Sequence, residues 1–594
     1  MEAEAFVAEP PRFTGTVTLR VEPRYVEASG FPPDLKVWPT IGFNQELAFR
    51  PAKFFFSPKF KRKRSDGERV WDGYIHLWRY GKFPTGLLPR AIKWLEQYEI
   101  PYEIVDERPE PSGVAMDAEH VNPEFVPFDF QHEAADAVIA HRHGILWLPT
   151  RTGKTIIGIE VYRRTRATPF LFVVRDRNLL HQAADAFRWA LPGVRVGRVG
   201  DGFAETDADV VVCTTGTLFA AWGLREIKRK KKKKGAPASK ARRPVIPAEV
   251  QVPREHHPRI RDLWIAAQAV AWDECHHCAT DPIERLSSKL VNVDINIGLS
   301  ATPWTEENRD LLLEAVIGPV IYRMTVEEAI AMGRLLPIHA TVFKLPPRPI
   351  LAARGEYAEI YRSAVVEDDW YHDLVASIAM RLRDEGHSVG VIVQHLAHGQ
   401  RLSGRIPHSY WINGDTSRED RRAAFDAMSA GGGNILVSNV INEGVDMPGL
   451  SATVIADPKA SQIFAIQRPA RAATAFGTKK RAVAVYFEHD AEYLASHTYA
   501  AVSALRKEPL YKVVERRIHA DGTISRARPL GSIKRGRRTC RILQVCGGSV
   551  AGERALAGNG PGPGAPDRDP GGGGPRAPGP PRFSDSSRFL PGIS

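Results

Sequence analysis

The chain has 594 residues, too many for one hydrophobic core, so it divides into roughly three to five packing units. Its 43% hydrophobic and 25% charged residues match a soluble globular protein, and five scattered cysteines exclude a disulfide-stapled secreted domain. No apolar run nears the ~18 residues of a membrane span, the acidic start MEAEAFVAEP lacks the order of a secretory leader, and a cytoplasmic protein is expected, or a nuclear one in a nucleated cell. The formal charge of +12 is concentrated in residues 228 to 243, KRKKKKKGAPASKARR, which carry ten positive charges and no negative one. Such a run repels itself and has nothing to bury. It predicts a solvated basic insertion over about residues 225–260, compatible with gripping phosphates.

In chain order, Val17, Leu19 and Val21 alternate with polar residues as in a half-buried strand, and Leu88, Ile92 and Leu95 recur at helical spacing. Residues 1–105 therefore read as a small α/β module. Within it, Lys59, Lys61, Arg62, Lys63 and Arg64 stand beside Phe60 and Trp71, a combination suited to phosphates and unstacked bases. The alternative is a hairpin turning near Asp72-Gly73 with its aromatics in the core. Residues 106–122, with prolines and little apolar content, predict a linker.

From 123 to 335 short apolar strands (GILWLP, PFLFVV, ADVVVCTT, QAVAW, INIGLS) alternate with amphipathic helices. The pattern repeats over 336–515 with SVGVIVQ, SYWING, NILVSN, ATVIAD and AVAVYF. Such alternation predicts two parallel sheets, each covered on both faces by helices. Trp147, Trp189 and Trp264 fall within apolar runs and are expected in cores. Residues 516–594 are expected to form a disordered low-complexity tail, rich in Gly, Pro and Arg without periodicity from Gly531 onward, a composition that an out-of-frame reading of a GC-rich gene would also give.

Two stretches carry chemistry. In LPTRTGKT, Thr150, Arg151, Thr152, Gly153, Lys154 and Thr155 follow an apolar strand and open a helix-like run, the context of a phosphate-binding loop. There Lys154 reaches the β and γ phosphates of ATP, and the Thr155 hydroxyl ligates Mg²⁺. Arg151 stands where such loops usually have glycine. Asp273 and Glu274 end a second apolar strand, so that Asp273 is placed to hold the Mg²⁺ and Glu274 to orient the attacking water. Cys275, His276, His277 and Cys278 follow directly. As a structural zinc site they lack the usual two separated ligand pairs and would compete with the neighbouring carboxylate.

These motifs, read in order over residues 123–490, resemble the superfamily 2 helicases. DECH is similar to the DEAD/DEAH box, FDFQHEAADAV to the region of the adenine-reading glutamine, here Gln131, and FLFVVRDRNLLHQAADAF to motif Ia. VVVCTTGTL, with Thr214 and Thr215, resembles the nucleic-acid-contacting motif Ib. Ser300-Ala301-Thr302 matches the motif coupling hydrolysis to strand movement, Gly444 and Asp446 lie in a motif V match, and Gln467 and Arg471 in a motif VI match. In the last, Ala470 replaces a glycine and Thr474 stands at the arginine-finger position. Arg468, a basic residue in GTKKR, or Arg151 would then have to supply the missing charge.

The stretch SPKFKRKRSDGERVWDGYIHLW resembles the accessory domain of UvsW-type phage recombination helicases. The resemblance implies two tandem RecA-like lobes behind a DNA-binding accessory module. It further implies an ATP- and Mg²⁺-dependent motor acting on branched or single-stranded DNA and on RNA–DNA hybrids, beside recombination or repair proteins. The departures in motif VI leave open a nucleotide-responsive DNA-binding protein with impaired hydrolysis, and related lobes also serve as motor subunits of restriction or repair assemblies.

Overall fold

The computed structural model describes residues 13–34, 36–52, 54–62, 71–108, 116, 118–224, 252–304, 309–347, 356–440, 447–457, 462–477, 479, 481–521, 523–525 and 528–529. Lys63, Arg64, Gly444, Asp446, the basic run and residues 530–594 of the expected tail lie outside them.

The N-terminal module is built on β1 (Val17–Val21), β2 (Tyr25–Ser29), β3 (Lys82–Pro84) and β4 (Tyr102–Asp106), in the order β3-β2-β1-β4. Val17, Leu19 and Val21 are fully buried, as their alternation requires. Helix α1 (Leu88–Gln97) closes the core with Ala91, Trp94 and Leu95.

Lobe 1 carries β5 (His143–Trp147), β6 (Phe170–Val174), β7 (Val196–Gly200), β8 (Phe203–Ala204), β9 (Val210–Thr214), β10 (Ala269–Asp273), β11 (Ile295–Ser300) and β12 (Val320–Arg323). Their order is β8-β7-β9-β6-β10-β11-β5-β12, and only β8 pairs antiparallel. The near-continuous Val, Ile and Phe of β6 and β9 are buried throughout, because helices cover both faces. Register places Asp273 opposite Leu299 and Ser300 opposite Trp147, and Leu148 N–H bonds Ser300 C=O at 3.0 Å. The loops after β5, β10 and β11 therefore emerge side by side at one edge of the sheet, where ligands bind in open α/β folds.

Lobe 2 repeats the plan with β13 (Ile338–Lys344), β14 (Ser388–Ile392), β15 (Tyr410–Ile412), β16 (Ile435–Ser438), β17 (Leu450–Ile455), β18 (Ala482–Glu488), β19 (Tyr511–Arg517) and β20 (Arg528–Pro529). The order is β15-β16-β14-β17-β18-β13-β19-β20, parallel except for the final pair.

Three expectations change. Lobe 2 runs past residue 515, because YKVVERR is a strand whose edge pairs with Arg528–Pro529. Residues 254–260, inside the expected basic insertion, are helical, and the helix runs on to Ala266, burying Ile260 and, beyond the expected bound, Leu263 and Trp264. Trp189 is 47% exposed, whereas Trp264 is fully buried as expected.

The module is seated on lobe 1 through helix α2 (Asp310–Val316). One continuous apolar cluster joins Phe43, Phe83 and Leu87 of the module to Leu312, Leu313 and Val316. At Gly86 a Cβ would stand 2.2 Å from the Glu314 carbonyl oxygen, so only glycine permits this approach. Arg24, itself buried, donates to Ser287 Oγ at 2.9 Å and to Ala315 C=O at 3.3 Å, and Arg90 bridges Glu46 and Glu314.

Candidate active site

The loop after β5 turns through two left-handed residues, Arg151 (φ 71°) and Gly153 (φ 74°), before helix α3 (Lys154–Thr165) begins. Glycine adopts this conformation freely, while an arginine there stores about 1–2 kcal/mol. The Arg151 substitution seen in the sequence thus keeps the glycine backbone and adds a side chain. Thr152 Oγ1 donates to Pro149 C=O at 2.8 Å and braces the turn. The first amides of α3 have no intrahelical acceptor and, with Lys154, make an anion cradle.

Asp273 ends β10. Burial first, then the neighbouring Glu274, pushes its carboxyl above the usual carboxylate range, and Lys154 pulls it back. A desolvated pair of adjacent carboxylates facing a single lysine has the chemistry of a divalent-cation site, with the Thr155 hydroxyl in the first turn of α3 as a further oxygen ligand. Glu274 is itself left-handed (φ 49°), a strained backbone that aims its side chain away from the strand direction.

Around Glu274 runs a ring of contacts spanning both lobes. Ser300 Oγ lies 3.1 Å from His276 Nδ1 and accepts Thr302 N–H at 3.1 Å. Gln467 Nε2 donates to Thr302 Oγ1 at 3.1 Å and makes a long contact of 3.5 Å to Glu274 Oε2, which lies at the same distance from His276 Nδ1. Ala301 C=O accepts Trp147 Nε1–H at 3.0 Å. His276, read in the sequence as the last residue of DECH, here links Glu274 to Ser300. Among the described residues no group of three or more His, Cys, Asp or Glu is placed to hold a metal ion, and Cys275 and Cys278 are buried as apolar core.

Gln131 bridges the loop to its own helix. Its Nε2 donates to Thr152 C=O at 3.0 Å and its Oε1 accepts Phe128 N–H at 2.9 Å. It lines a cavity of about 300 Å³ together with Phe128, Arg151, Gly153, Arg334 and Thr474, so that both lobes form the walls. The finger position and the substituted loop residue therefore face one space. Of the substitutes expected from the sequence, Arg151 lines this cavity, Lys480 lies outside the described residues, and Arg468 and Lys479 are held by other contacts. Arg468 is buried with its guanidinium 5.0 Å from the Phe464 ring. Lys479 donates to the carbonyls of Leu450, Ala472 and Thr474, with burial and then Arg151 lowering its pKa to about 7. Arg471 is buried in the turn Arg471–Ala473.

Of the nucleic-acid candidates, Thr214 is buried and spends its hydroxyl capping the helix Thr215–Ala221 through Thr217 N–H. Thr215 is the first residue of that helix. Lys61 and Arg62 are exposed, with Lys61 Nζ 5.7 Å from the Phe56 ring, and Lys59 lies in the short helix Pro58–Lys61.

Two family descriptions match this chain: Type III restriction enzyme, res subunit, over residues 124–305, and Helicase conserved C-terminal domain over residues 377–475. This chain belongs to the superfamily 2 helicases. A putative helicase of Sulfolobus islandicus filamentous virus is 22% identical over 371 residues, covering 59% of this chain and 61% of its own length. The ATP-dependent DNA helicase UvsW of phage T4 is 22% identical over 467 residues, covering 73% and 83%. The crystal structure of T4 UvsW aligns over 84% of this helicase and 99% of its own chain, at 17% identity and a TM-score of 0.38. No helix among the described residues of this helicase is long and apolar enough to cross a membrane.

Proposed function

We propose that this chain is a DNA-stimulated ATPase that translocates on DNA and remodels branched structures, by fork regression, junction migration and removal of RNA from R-loops. The observation that carries the reading is the position of Gln467, which touches Glu274 of the hydrolytic pair and Thr302 of the coupling motif from the opposite lobe. A change in phosphate geometry at Glu274 is thereby felt in lobe 2. DNA as the track is supported by the UvsW relative, named an ATP-dependent DNA helicase, and by a relative named a DNA 3'-5' translocase.

In this reading the amides opening α3 and Lys154 hold the β and γ phosphates, Gln131 faces the base, and Glu274 orients the attacking water. Thr155 and Asp273 would hold Mg²⁺, which when bound would supply positive charge at the phosphates. Arg151 supplies positive charge on the cavity that Thr474 shares. Lys61 and Arg62 on the module grip the DNA backbone, which gives affinity without base information.

The test is the ATPase rate of the purified chain on duplex, single-stranded, forked, four-way-junction and RNA–DNA hybrid substrates at fixed salt. Stimulation strongest on forked or four-way DNA is expected. A rate indifferent to every nucleic acid would overturn the motor, and stimulation by linear duplex alone would overturn the remodelling of branches.

A further inference from the structure

One wall of the cavity between the lobes is not explained by phosphate chemistry. Phe128 is 41% exposed and lies nearly parallel to Phe130, with 11° between ring planes and 6.0 Å between centroids. From the segment joining the lobes, the guanidinium carbon of Arg334 sits 3.3 Å from the Phe128 ring centroid. The ring is held in place by Gln131, whose Oε1 accepts the Phe128 N–H. The two bonds that Gln131 makes use half of its capacity, leaving one N–H and one lone pair on the amide. Adenine presents the matching partners on a single edge, N7 as acceptor and N6–H as donor. An aromatic face and an amide edge thus converge next to the phosphate loop.

A base stacked on Phe128 needs about 3.5 Å, and a base inserted between Phe128 and Arg334 would need about 7 Å between them. The observed separation is under half of that. A purine and the guanidinium therefore compete for one face of one ring. Arg334 is also tied to its surroundings: Ala475 N–H donates to Arg334 C=O at 3.3 Å and Leu336 N–H to Ala473 C=O at 2.7 Å, with Leu335 opposite Thr474. The segment that covers the ring is strand-paired with the segment that carries the finger position.

We propose that Arg334 is a gate on a purine-base subsite formed by Phe128 and Gln131, displaced by the base when a nucleotide binds, and that this displacement is how base occupancy reaches the Thr474 segment. The proposal rests on the nucleotide-binding reading above.

Affinity for ADP carrying a fluorescent ribose label, and for pyrophosphate by competition, separates the two. Arg334→Ala and Arg334→Met are expected to raise the ratio of ADP to pyrophosphate affinity about 2- to 30-fold, the range of a lost cation–π competitor. In a Phe128→Ala background the same change at Arg334 should leave the ratio where it was. An unchanged or lowered ratio in both Arg334 variants overturns the gate while leaving nucleotide binding intact. An unaltered chain that binds neither ADP nor pyrophosphate overturns the nucleotide reading and the gate with it.

Discussion

Lobe 1 meets the N-terminal module through a continuous apolar cluster with glycine-tight backbone contact at Gly86, whereas it meets lobe 2 both through an apolar cluster that runs from Met324, Ala329 and Leu335 to Ile338 and through polar side chains set around a cavity. The first seam removes apolar surface and leaves no room to slide. Around its cavity the second is held by hydrogen bonds and a cation–π contact, each of the order of 1 kcal/mol and each replaceable by a ligand or by water. A motor of this family needs both kinds: a fixed seat for whatever engages the track, and a yielding seam where nucleotide chemistry can move one lobe on the other. Backbone packed against backbone at Gly86 makes the fixed seat, and the exchangeable polar contacts beside the cavity are where the other seam can yield.

The largest effect should come from the moving seam. Lys154→Ala is expected to lower the DNA-stimulated ATPase rate by ~10² or more, since it removes a charge poised at the transferring phosphate, with little change in the unfolding midpoint. Steady-state turnover alongside a thermal melt checks both halves.

At the fixed seam, Gly86→Val is expected to destabilise by about 3 kcal/mol, because the added atoms meet backbone rather than a flexible side-chain end. Urea unfolding followed by tryptophan fluorescence should also show the module and lobe 1 melting together in the unaltered chain. Separate transitions there would mean that the apolar cluster does not couple them.

Gln467→Ala should cost about tenfold in stimulated turnover, ~1.4 kcal/mol, by cutting the contacts to Glu274 and Thr302. Basal turnover without DNA should change less. Equal losses in both rates would make Gln467 part of the chemistry instead of the link between lobes.

The smallest effect concerns His143, buried at the start of β5 near the module. Burial first, then Arg108 and Arg24, lowers its pKa to about 3. The unfolded chain then binds the proton that the folded chain refuses, so stability is complete above about pH 6.5 and declines as pH falls toward 3. About 1 kcal/mol should be lost between pH 8 and pH 6, and His143→Leu should flatten that part of the profile in pH-dependent urea melts.

Much of this was legible in the sequence because local pattern and tertiary burial agree. The strands from GILWLP to AVAVYF are apolar in short runs, and a parallel sheet buries such runs on both faces, so the expected strands recur in both lobes. Lys154, Asp273 and Ser300 could be grouped because the loops after neighbouring parallel strands share a sheet edge. What was not legible depends on contacts between distant segments. Nothing near Arg334 marks it as the neighbour of Phe128, some two hundred residues earlier, and nothing in DECH shows that His276 stands beside Ser300. Arg151 looked like a departure from a glycine rule, yet its backbone keeps the glycine conformation. The signal that could have found Arg334 is its place, immediately before the first strand of lobe 2, where a connecting segment must cross the cleft.

Composition invites an excised motor beginning after residue 122, since the stretch before it is poor in apolar residues. Such a cut would strip Leu87 and its neighbours from α2 and lay bare the apolar side of Leu312, Leu313 and Val316. A trimmed enzyme made that way should be sticky and short-lived in storage, with the fault lying in the exposed seat and not in the catalytic loops. Shortened forms meant for crystallography or single-molecule work are better trimmed from the low-complexity end, beyond the strand pair that closes lobe 2.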